Sequence, residues 1–460
     1  MTAGWTLLRR RDFGLLWAGG LISETGDWFL LVGLPVWVLQ LTGSSLVTAT
    51  VFLVGLLPGL VVGPLAGVLV DRWDRRRTLV AVSLAEAAFL LPLLAVHDRG
   101  DLWIVYAVMA VEASLAQLND PARNALVPSL VGEQDLVGAN ALIGLNSNLA
   151  RLVGSPLGGI LVQLAGLPGL VIGDAVSFLF GAALIGLVGS RPVDAPHPTP
   201  PSPGTFAEAR ADHPPLPGVG APAREGSPTP GSVVPVVHSP APARGVLGEW
   251  VDGLRVTLGE RELRWGLVVN GLAAVAQGIF TVLFVVFVAR ELGGDGADVG
   301  LLRGVQAIGG LLGGVLVVGL ARRLRPGPLL GTSLVVFALI DLAIWNGPVL
   351  TTALWLYLGL FVAAGIPGVG VLTGLTALVQ ERAGNAYLGR VFATYLGSFN
   401  GLMALGMLLA GLLGDAVGVV AVLNGQAALY LLAGVVALAT LGPRAVRYPR
   451  TSKRARMPLA

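Results

Sequence analysis

The sequence predicts an all-helical membrane protein, with twelve transmembrane helices in two halves of six. Three observations support this fold class. Of the 460 residues, 54% are hydrophobic and only 12% are charged, about half the charged fraction of a soluble domain, which is about 25%. The apolar residues form runs that reach or exceed the length of about 20 residues needed to cross a bilayer. Arginine clusters interrupt these runs, as in the cytoplasmic loops of membrane proteins.

Composition also excludes several classes of function. The net charge is only +3, so the basic clusters indicate membrane topology rather than a nucleic-acid partner. There is no cysteine, and the four histidines lie outside the apolar runs, so we expect no metal site and no cofactor. The histidines are His97, His197, His213 and His238. A P-loop and a soluble catalytic domain are also missing, which argues against an ATP-driven pump and against an enzyme.

The N-terminal half is predicted to comprise residues 1–190. Its six spans are expected at residues 13–41, 46–70, 78–96, 102–118, 136–165 and 169–189. Arg9, Arg10 and Arg11 precede the first span and predict a cytoplasmic N-terminus. Leu167 and Pro168 separate spans 5 and 6, and residues 119–124 are expected as a segment on the cytoplasmic side.

Residues 191–246 have a different character. They contain fifteen of the thirty prolines. A segment of this composition buries too little apolar area to offset its ordering entropy, so we expect a disordered cytoplasmic linker. Two roles are open: a tether between the halves, or a proline-rich ligand for a partner domain.

The C-terminal half is predicted to comprise residues 247–443. It begins with an amphipathic helix, because Leu247, Trp250, Val251 and Leu254 recur at helical spacing. Its six spans are expected at residues 267–289, 299–320, 329–345, 350–378, 391–413 and 417–441. A basic cytoplasmic tail, 444–460, follows. Twelve spans place both termini in the cytoplasm of a cell (inner) membrane, and we expect a monomer.

A charged stretch between spans 2 and 3 carries a family resemblance. The sequence Gly67 to Arg77, with the pattern Gly-x-x-x-Asp-Arg-x-x-Arg-Arg, resembles the loop between helices 2 and 3 of the major facilitator superfamily, although Asp74 replaces the usual glycine. The resemblance implies a cytoplasmic gate, to which we also assign two residues before span 11. The expected gate residues are Gly67, Asp71, Arg72, Arg75, Arg76, Gly389 and Arg390. A plain positive-inside anchor is the alternative interpretation.

Other stretches resemble one branch of that superfamily. Residues 22–28, 121–128, 139–142 and 389–391 are similar to the efflux branch that includes macrolide exporters and the enterobactin exporter. The second half also repeats the first: a shift of 250 residues places Arg72 over Arg322. An internal repeat and a central linker agree with the two-times-six transporter architecture.

Charged side chains within the spans are candidate coupling groups. An ionised side chain at the bilayer centre costs about 2.5–3.5 kcal/mol on insertion scales, so each should face a cavity or a partner. Asp27, Glu112 and Glu86 are the candidates for proton coupling, and Arg151 is expected at the depth of Glu112, where it could be its charge partner. Fixed structural ion pairs are the alternative, and we favour one between Arg303 and Asp341.

Uncharged polar residues in the spans are candidates for the substrate cavity. They are Asn146, Asn270, Gln277 and Asn400, and they could instead bond neighbouring helices. The sequence thus predicts a secondary transporter that exports an amphipathic small molecule in exchange for protons. Uptake of a metabolite on the same fold, or a receptor without transport, are the alternatives.

Overall fold

The computed structural model describes residues 6–70, 72–189, 246–321, 325–385 and 387–442. Asp71, the linker and the basic tail fall outside these residues, so the expectations for them remain predictions. The first six helices are α1 Arg11–Thr42, α2 Ser45–Val70, α3 Arg75–Leu90, α4 Leu102–Ala116, α5 Asn119–Val131 and α6 Leu136–Gly186. The others are α7 Val246–Gly259, α8 Arg261–Arg290, α9 Gly296–Ala321, α10 Pro326–Asn346, α11 Leu354–Arg382, α12 Leu388–Val417 and α13 Val419–Leu441.

Eleven segments of the described chain are long and apolar enough to cross a membrane. One of them, α6, has 51 residues, and its backbone leaves the helical region at Gly166, where φ is +61°. Glycine adopts positive φ without the steric cost that a side chain imposes. Gly33 of α1 lies near both Gly158 and Leu170, so α6 folds back as a hairpin and contributes two passages. The observed break at Gly166 thus lies one residue before the predicted break at Leu167 and Pro168. Because α6 counts as two passages, the eleven segments give twelve spans, and the predicted fold is confirmed.

Two local features were not specified by the sequence. Residues 119–124, expected only as a segment on the cytoplasmic side, begin a helix, α5. Asp74, which departs from the family pattern, caps α3: its carboxylate accepts a hydrogen bond from the backbone N–H of Arg77 at 2.7 Å. A carboxylate in this position satisfies a free N–H group of the first helical turn.

The two halves pack against each other through small residues. A Cβ atom on Gly411 of α12 would lie 2.9 Å from Cα of Leu46 on α2. A Cβ atom on Gly300 of α9 would lie 3.0 Å from Cα of Pro156 on α6. Glycine permits this close approach of backbones, which lipid-embedded helices use in place of a hydrophobic driving force.

The predicted amphipathic helix is present as α7. It packs on the first turns of α12, where Gly253 lies against the carbonyl of Arg390 and the hydroxyl of Thr394. Asp252 of α7 also lies 4.0 Å from the guanidinium of Arg390. The helix that follows the linker is therefore attached to one helix of the C-terminal half.

Candidate functional site

A cavity of about 470 Å³ lies between the two halves. Helices α1, α2, α3, α4 and α6 line it from one half, and α8, α9 and α12 line it from the other. Most of the wall is apolar and includes Phe52, Phe178, Met109, Met403 and Met407. Thioether and aromatic side chains adapt to ligands of different shape. This wall suits a molecule with a large apolar surface.

Four carboxylates interrupt the apolar wall. Asp27, Glu86, Glu112 and Asp174 come from four different helices of the N-terminal half. Asp27 lies close enough to the other three for their charges to interact. Its side chain is exposed to the cavity, whereas Glu86 and Asp174 are each only 1% exposed. The structure therefore groups all three predicted coupling acids and adds a fourth.

The carboxylates are incompletely bonded. Oε1 of Glu86 accepts a hydrogen bond from the amide of Asn119 at 3.0 Å, while its Oε2 is buried without a partner among the described residues. Oε1 of Glu112 is likewise buried and unpartnered within the described chain. A buried carboxylate oxygen that accepts no hydrogen bond has lost its bonds to water without replacement, which costs free energy. A bound proton, water molecule or cationic group would reduce this cost.

The two expected charge pairs are not formed. Arg151 lies over the ring of Trp28, 5.9 Å from its centroid, and its Nε is buried without a partner among the described residues. No ion pair with Glu112 is present in that part of the chain. Arg303 lies over Phe280 at 5.2 Å and lines the cavity, whereas Asp341 accepts a hydrogen bond from Gln426 at 2.8 Å. The aromatic faces, rather than the carboxylates, hold the two guanidinium groups.

The four polar residues assigned to the substrate cavity divide into two groups. Gln277 lines the central cavity and accepts a hydrogen bond from Tyr430 at 3.0 Å. Asn400 lines a second cavity, of about 510 Å³. Asn146 and Asn270 instead donate to backbone carbonyls of neighbouring helices, at 3.1 Å each. The last two therefore connect helices, although Asn270 also borders a separate, mostly apolar cavity within the C-terminal half.

The central cavity is closed at the end where α1 finishes, which we name the Gly43 end. Asp415 of α12 accepts hydrogen bonds from the backbone N–H and the hydroxyl of Ser45 on α2, at 2.9 and 2.8 Å. Arg290 of α8 donates to Asp415 at 2.9 Å and to the carbonyl of Gly43 at 2.7 Å. These residues form a lock between the halves, and it was not expected from the sequence.

At the opposite end, which we name the Arg75 end, the central cavity continues towards the protein surface. The second cavity shares Gly55, Leu56 and Ala116 with the central one and extends between α2, α4 and α12 to Gly63 and Asn400. All three hydrogen bonds that join the halves among the described residues lie at the Gly43 end. The structure is therefore closed at one end and open towards the other.

The described members of the predicted gate lie at this open end, and Arg75 and Arg76 bond within their own half. Arg75 donates to the carbonyl of Ala125 at 2.9 Å, and Arg76 donates to the carbonyl of Gly186. Arg72 and Gly389 are exposed, and Arg390 lies near Asp252. Gly67 lies within α2. Among the described residues, no hydrogen bond or ion pair joins Arg75 or Arg76 to Gly389 or Arg390.

Two features of this region escaped the sequence reading. Asp174 was not singled out, although an acid within an apolar run is the same signal that identified Asp27. Glu24 forms an ion pair with Arg123, and its second oxygen accepts a hydrogen bond from Ser147 at 2.9 Å. Arg123 also contacts Asp120 at 2.6 Å. Arg123 lies more than ninety residues along the chain from Glu24, so spacing alone offered no signal for this pair.

Sequence comparisons place both halves among known transporters. A family profile described as "Transmembrane secretion effector" matches residues 2–202, and one described as "Major Facilitator Superfamily" matches residues 266–459. Macrolide efflux protein A of Streptococcus pyogenes is 26% identical over 178 residues, 38% of this chain and 44% of that protein. Multidrug efflux pump Tap of Mycolicibacterium fortuitum is 32% identical over 169 residues, 35% of this chain and 41% of that protein. Each match spans less than half of the relative.

Solved structures show the same fold along nearly the whole chain. A bacterial homologue of the iron transporter ferroportin, in an inward-facing state, has a TM-score of 0.64 at 17% identity, covering 93% of this chain and 98% of that one. The nucleoside transporter NupG has a TM-score of 0.69 at 11% identity, covering 93% and 99%. These likenesses show the shared fold of a multi-pass membrane protein, and the two profiles, over residues 2–202 and 266–459, show that the chain belongs to the major facilitator superfamily.

Proposed function

We propose that the protein is a proton-coupled exporter of an amphipathic small molecule. The observation that carries this proposal is the central cavity, in which Asp27 is exposed among three further carboxylates while most of the wall is apolar. The apolar wall provides binding energy for a lipophilic body, and the carboxylates provide groups that exchange protons at the same place. Similarity to macrolide and multidrug efflux proteins supports the export direction.

The transport cycle follows from the two ends of the cavity. The Arg75 end faces the cytoplasm in this proposal, because short arginine-rich loops remain on that side. The present structure then receives substrate from inside. When the lock at Asp415 opens and the Arg75 end closes, the cavity faces outward, and substrate leaves as a proton binds to Asp27. The potential across the inner membrane is an adequate driving force, since one charge crossing 100 mV provides about 2.3 kcal/mol.

Orientation and location are part of the same proposal. The chain resides in the cytoplasmic (inner) membrane with both termini inside. Because the chain has no cysteine, single cysteines placed at Ser44 and Gly231 report sidedness. A membrane-impermeant maleimide should label Ser44→Cys in intact cells and should not label Gly231→Cys. The opposite labelling pattern would refute this orientation. One chain lines the cavity from both halves, so a monomer is sufficient for transport.

The function itself is tested by efflux. Cells with and without the protein are loaded with members of a compound panel that includes a macrolide and a lipophilic dye, and retention is followed with and without a protonophore. Export predicts lower retention in cells that contain the protein, and the difference should vanish with the protonophore. Faster accumulation in those cells would indicate uptake instead, and an effect that survives the protonophore would contradict proton coupling.

A further inference from the structure

A second, polar cavity of about 290 Å³ ends at the same aspartate. Eight of its thirteen lining residues are polar or charged, among them Glu24, Asp27, Ser83, Asn119 and Arg123, in contrast to the mostly apolar central cavity. Asp120, whose side chain is 73% exposed, lies at its Arg75 end. The cavity thus extends from the surface at that end to the middle of the N-terminal half.

The polar and central cavities meet at Asp27 and Ala116, which line both of them. Asn119, which lines the polar cavity, donates its hydrogen bond to Glu86, which lines the central cavity. Asp27 therefore borders the polar cavity directly, and Glu86 is connected to it through the side-chain amide of Asn119.

The polar cavity belongs to one half of the protein. All of its lining residues come from α1, α3, α4, α5 and α6 or the segment between α4 and α5. The central cavity lies between the halves and changes access when they rock, as in other repeat-built transporters. If each half moves as a unit, that motion does not open or close a cavity that lies inside one of them.

We propose that the polar cavity is a proton route from Asp27 through the N-terminal half to the cytoplasm, present in both states of the transport cycle; it runs beside the substrate path and reaches the second cavity, of about 510 Å³, at Asp120. This inference rests on the proposed function. The carboxyl proton of Asp27 passes to water in the polar cavity, leaving the carboxylate, and the resulting hydronium is released at Asp120. An amphipathic molecule is disfavoured there, because its apolar body would separate Glu24, Arg123 and Asp120 from their partners.

A route that stays open needs a control point. The ion pair between Glu24 and Arg123 lies along the cavity, with Ser147 and Asp120 bonded to the same two residues. Other charged groups around Asp27 are Glu86 on α3, Glu112 on α4, Asp174 on α6 and Arg303 on α9. A positively charged group repels a hydronium ion. A change in the contact between Arg123 and Glu24 would therefore change how readily a proton passes through the polar cavity.

Thiol accessibility tests the route directly. Ser83, which is 4% exposed on α3, lines the polar cavity, and Ala113 on α4 lines the central one. Each is replaced by cysteine and treated from either side with a small impermeant reagent, 2-(trimethylammonium)ethyl methanethiosulfonate, and with a maleimide that carries a polyethylene glycol chain. Ala81→Cys is the control. Ala81 lies on the outer surface of the same helix, which the membrane covers, and it lines neither cavity.

Ser83→Cys should react with the small reagent from the cytoplasmic side and resist the bulky one, while Ala81→Cys should not react. Opening the outer lock with Asp415→Asn should increase outside labelling of Ala113→Cys several-fold and leave Ser83→Cys unlabelled from outside. An unreactive Ser83→Cys, or labelling of it from outside, would overturn the inference. Unchanged labelling of Ala113→Cys would instead count against alternating access, and the cytoplasmic reaction of Ser83→Cys would still decide the route.

A functional variant separates the route from the substrate site. Ser83→Leu fills the polar cavity, and Ala81→Leu adds the same volume on the outside of α3. In proteoliposomes, Ser83→Leu should lose movement of a radiolabelled macrolide driven by a pH gradient and should keep its downhill exchange, whereas Ala81→Leu should keep both. Gradient-driven movement in Ser83→Leu equal to that in Ala81→Leu would refute the route. Absence of macrolide movement in every variant would refute the proposed function instead.

Discussion

Neutralising Asp415 should shift the protein towards the outward-facing state. Asp415→Asn keeps the side-chain shape but removes the negative charge that accepts bonds from Ser45 and Arg290. The two bonds from Ser45 exist only while the Gly43 end is closed, because α2 belongs to one half and α12 to the other, whereas the bond from Arg290 joins two helices of the same half. Weakening the bonds from Ser45 therefore destabilises only the state that is closed at the Gly43 end.

The size of the shift follows from the geometry. A hydrogen bond to a charged group contributes about 1.5–3 kcal/mol when it is shielded from water. Here the Asp415 side chain is 38% exposed, so each of the two bonds from Ser45 contributes less than that range, and the pair with Arg290, which lies within one half, leaves the ratio of the states unchanged. Asparagine also retains one acceptor oxygen. We therefore expect a change of about 1–2 kcal/mol, which corresponds to a factor of about 5–30 in the ratio of the two states.

Labelling from outside measures this ratio. Val51 of α2 lines the central cavity and is 2% exposed, so Val51→Cys reacts with an impermeant reagent only when the cavity opens outward. Its labelling rate should increase by the same factor in the Asp415→Asn background. Glu291→Gln, which removes a negative charge at the same end from a residue outside the lock, is the control and should leave the rate unchanged. An equal rate in both variants would refute the assignment of the lock.

Three further predictions concern stability and organisation. Gly158→Val should lower the melting temperature, because a Cβ atom there meets Cα of Phe29 at 2.7 Å and overpacking costs about 1–3 kcal/mol; Gly144→Val, which has open space around it, should not. Glu24→Gln should destabilise the protein by on the order of 2 kcal/mol. This is less than the cost of breaking a fully buried ion pair, because the side chains of Arg123 and Glu24 are 19% and 20% exposed. Asp120→Asn is the control and should change the melting temperature little. Removing about twenty residues between 198 and 236 should leave transport intact, because loop closure depends only weakly on length, and loss of transport at normal abundance would favour a partner-binding linker.

The sequence predicted the helices well because their signals are local. Apolar runs, arginine clusters and a proline-containing break are read along a single segment, and the structure placed the hairpin turn at Gly166, one residue from the predicted break. The charged residues of the cavity were found by the same rule, since an acid in an apolar run requires a polar environment. Asp174 satisfied that rule as well as Asp27 did, so it could have been recognised.

The bonding partners of the charged and polar side chains could not be predicted from the sequence. A residue's depth along its span does not say in which direction around the helix its side chain points. Arg151 and Glu112 were expected at similar depth, but α6 is rotated so that the guanidinium lies on Trp28. Asn146 and Asn270 likewise point to backbone carbonyls of adjacent helices rather than to the cavity. Helix rotation is fixed by packing, and here close glycine contacts such as that of Gly158 with Phe29 determine it.

Proton coupling through Asp27 is tested most directly by transport of Asp27→Asn in proteoliposomes. Asparagine resembles the protonated acid in shape and cannot release a proton, so the variant should still alternate between states but lose the link to the pH gradient. With a radiolabelled macrolide, the account predicts downhill exchange comparable to the unsubstituted protein and no accumulation against a concentration gradient when a pH gradient is imposed. Full gradient-driven accumulation by Asp27→Asn would contradict the account and would transfer the coupling role to Glu112, Glu86 or Asp174.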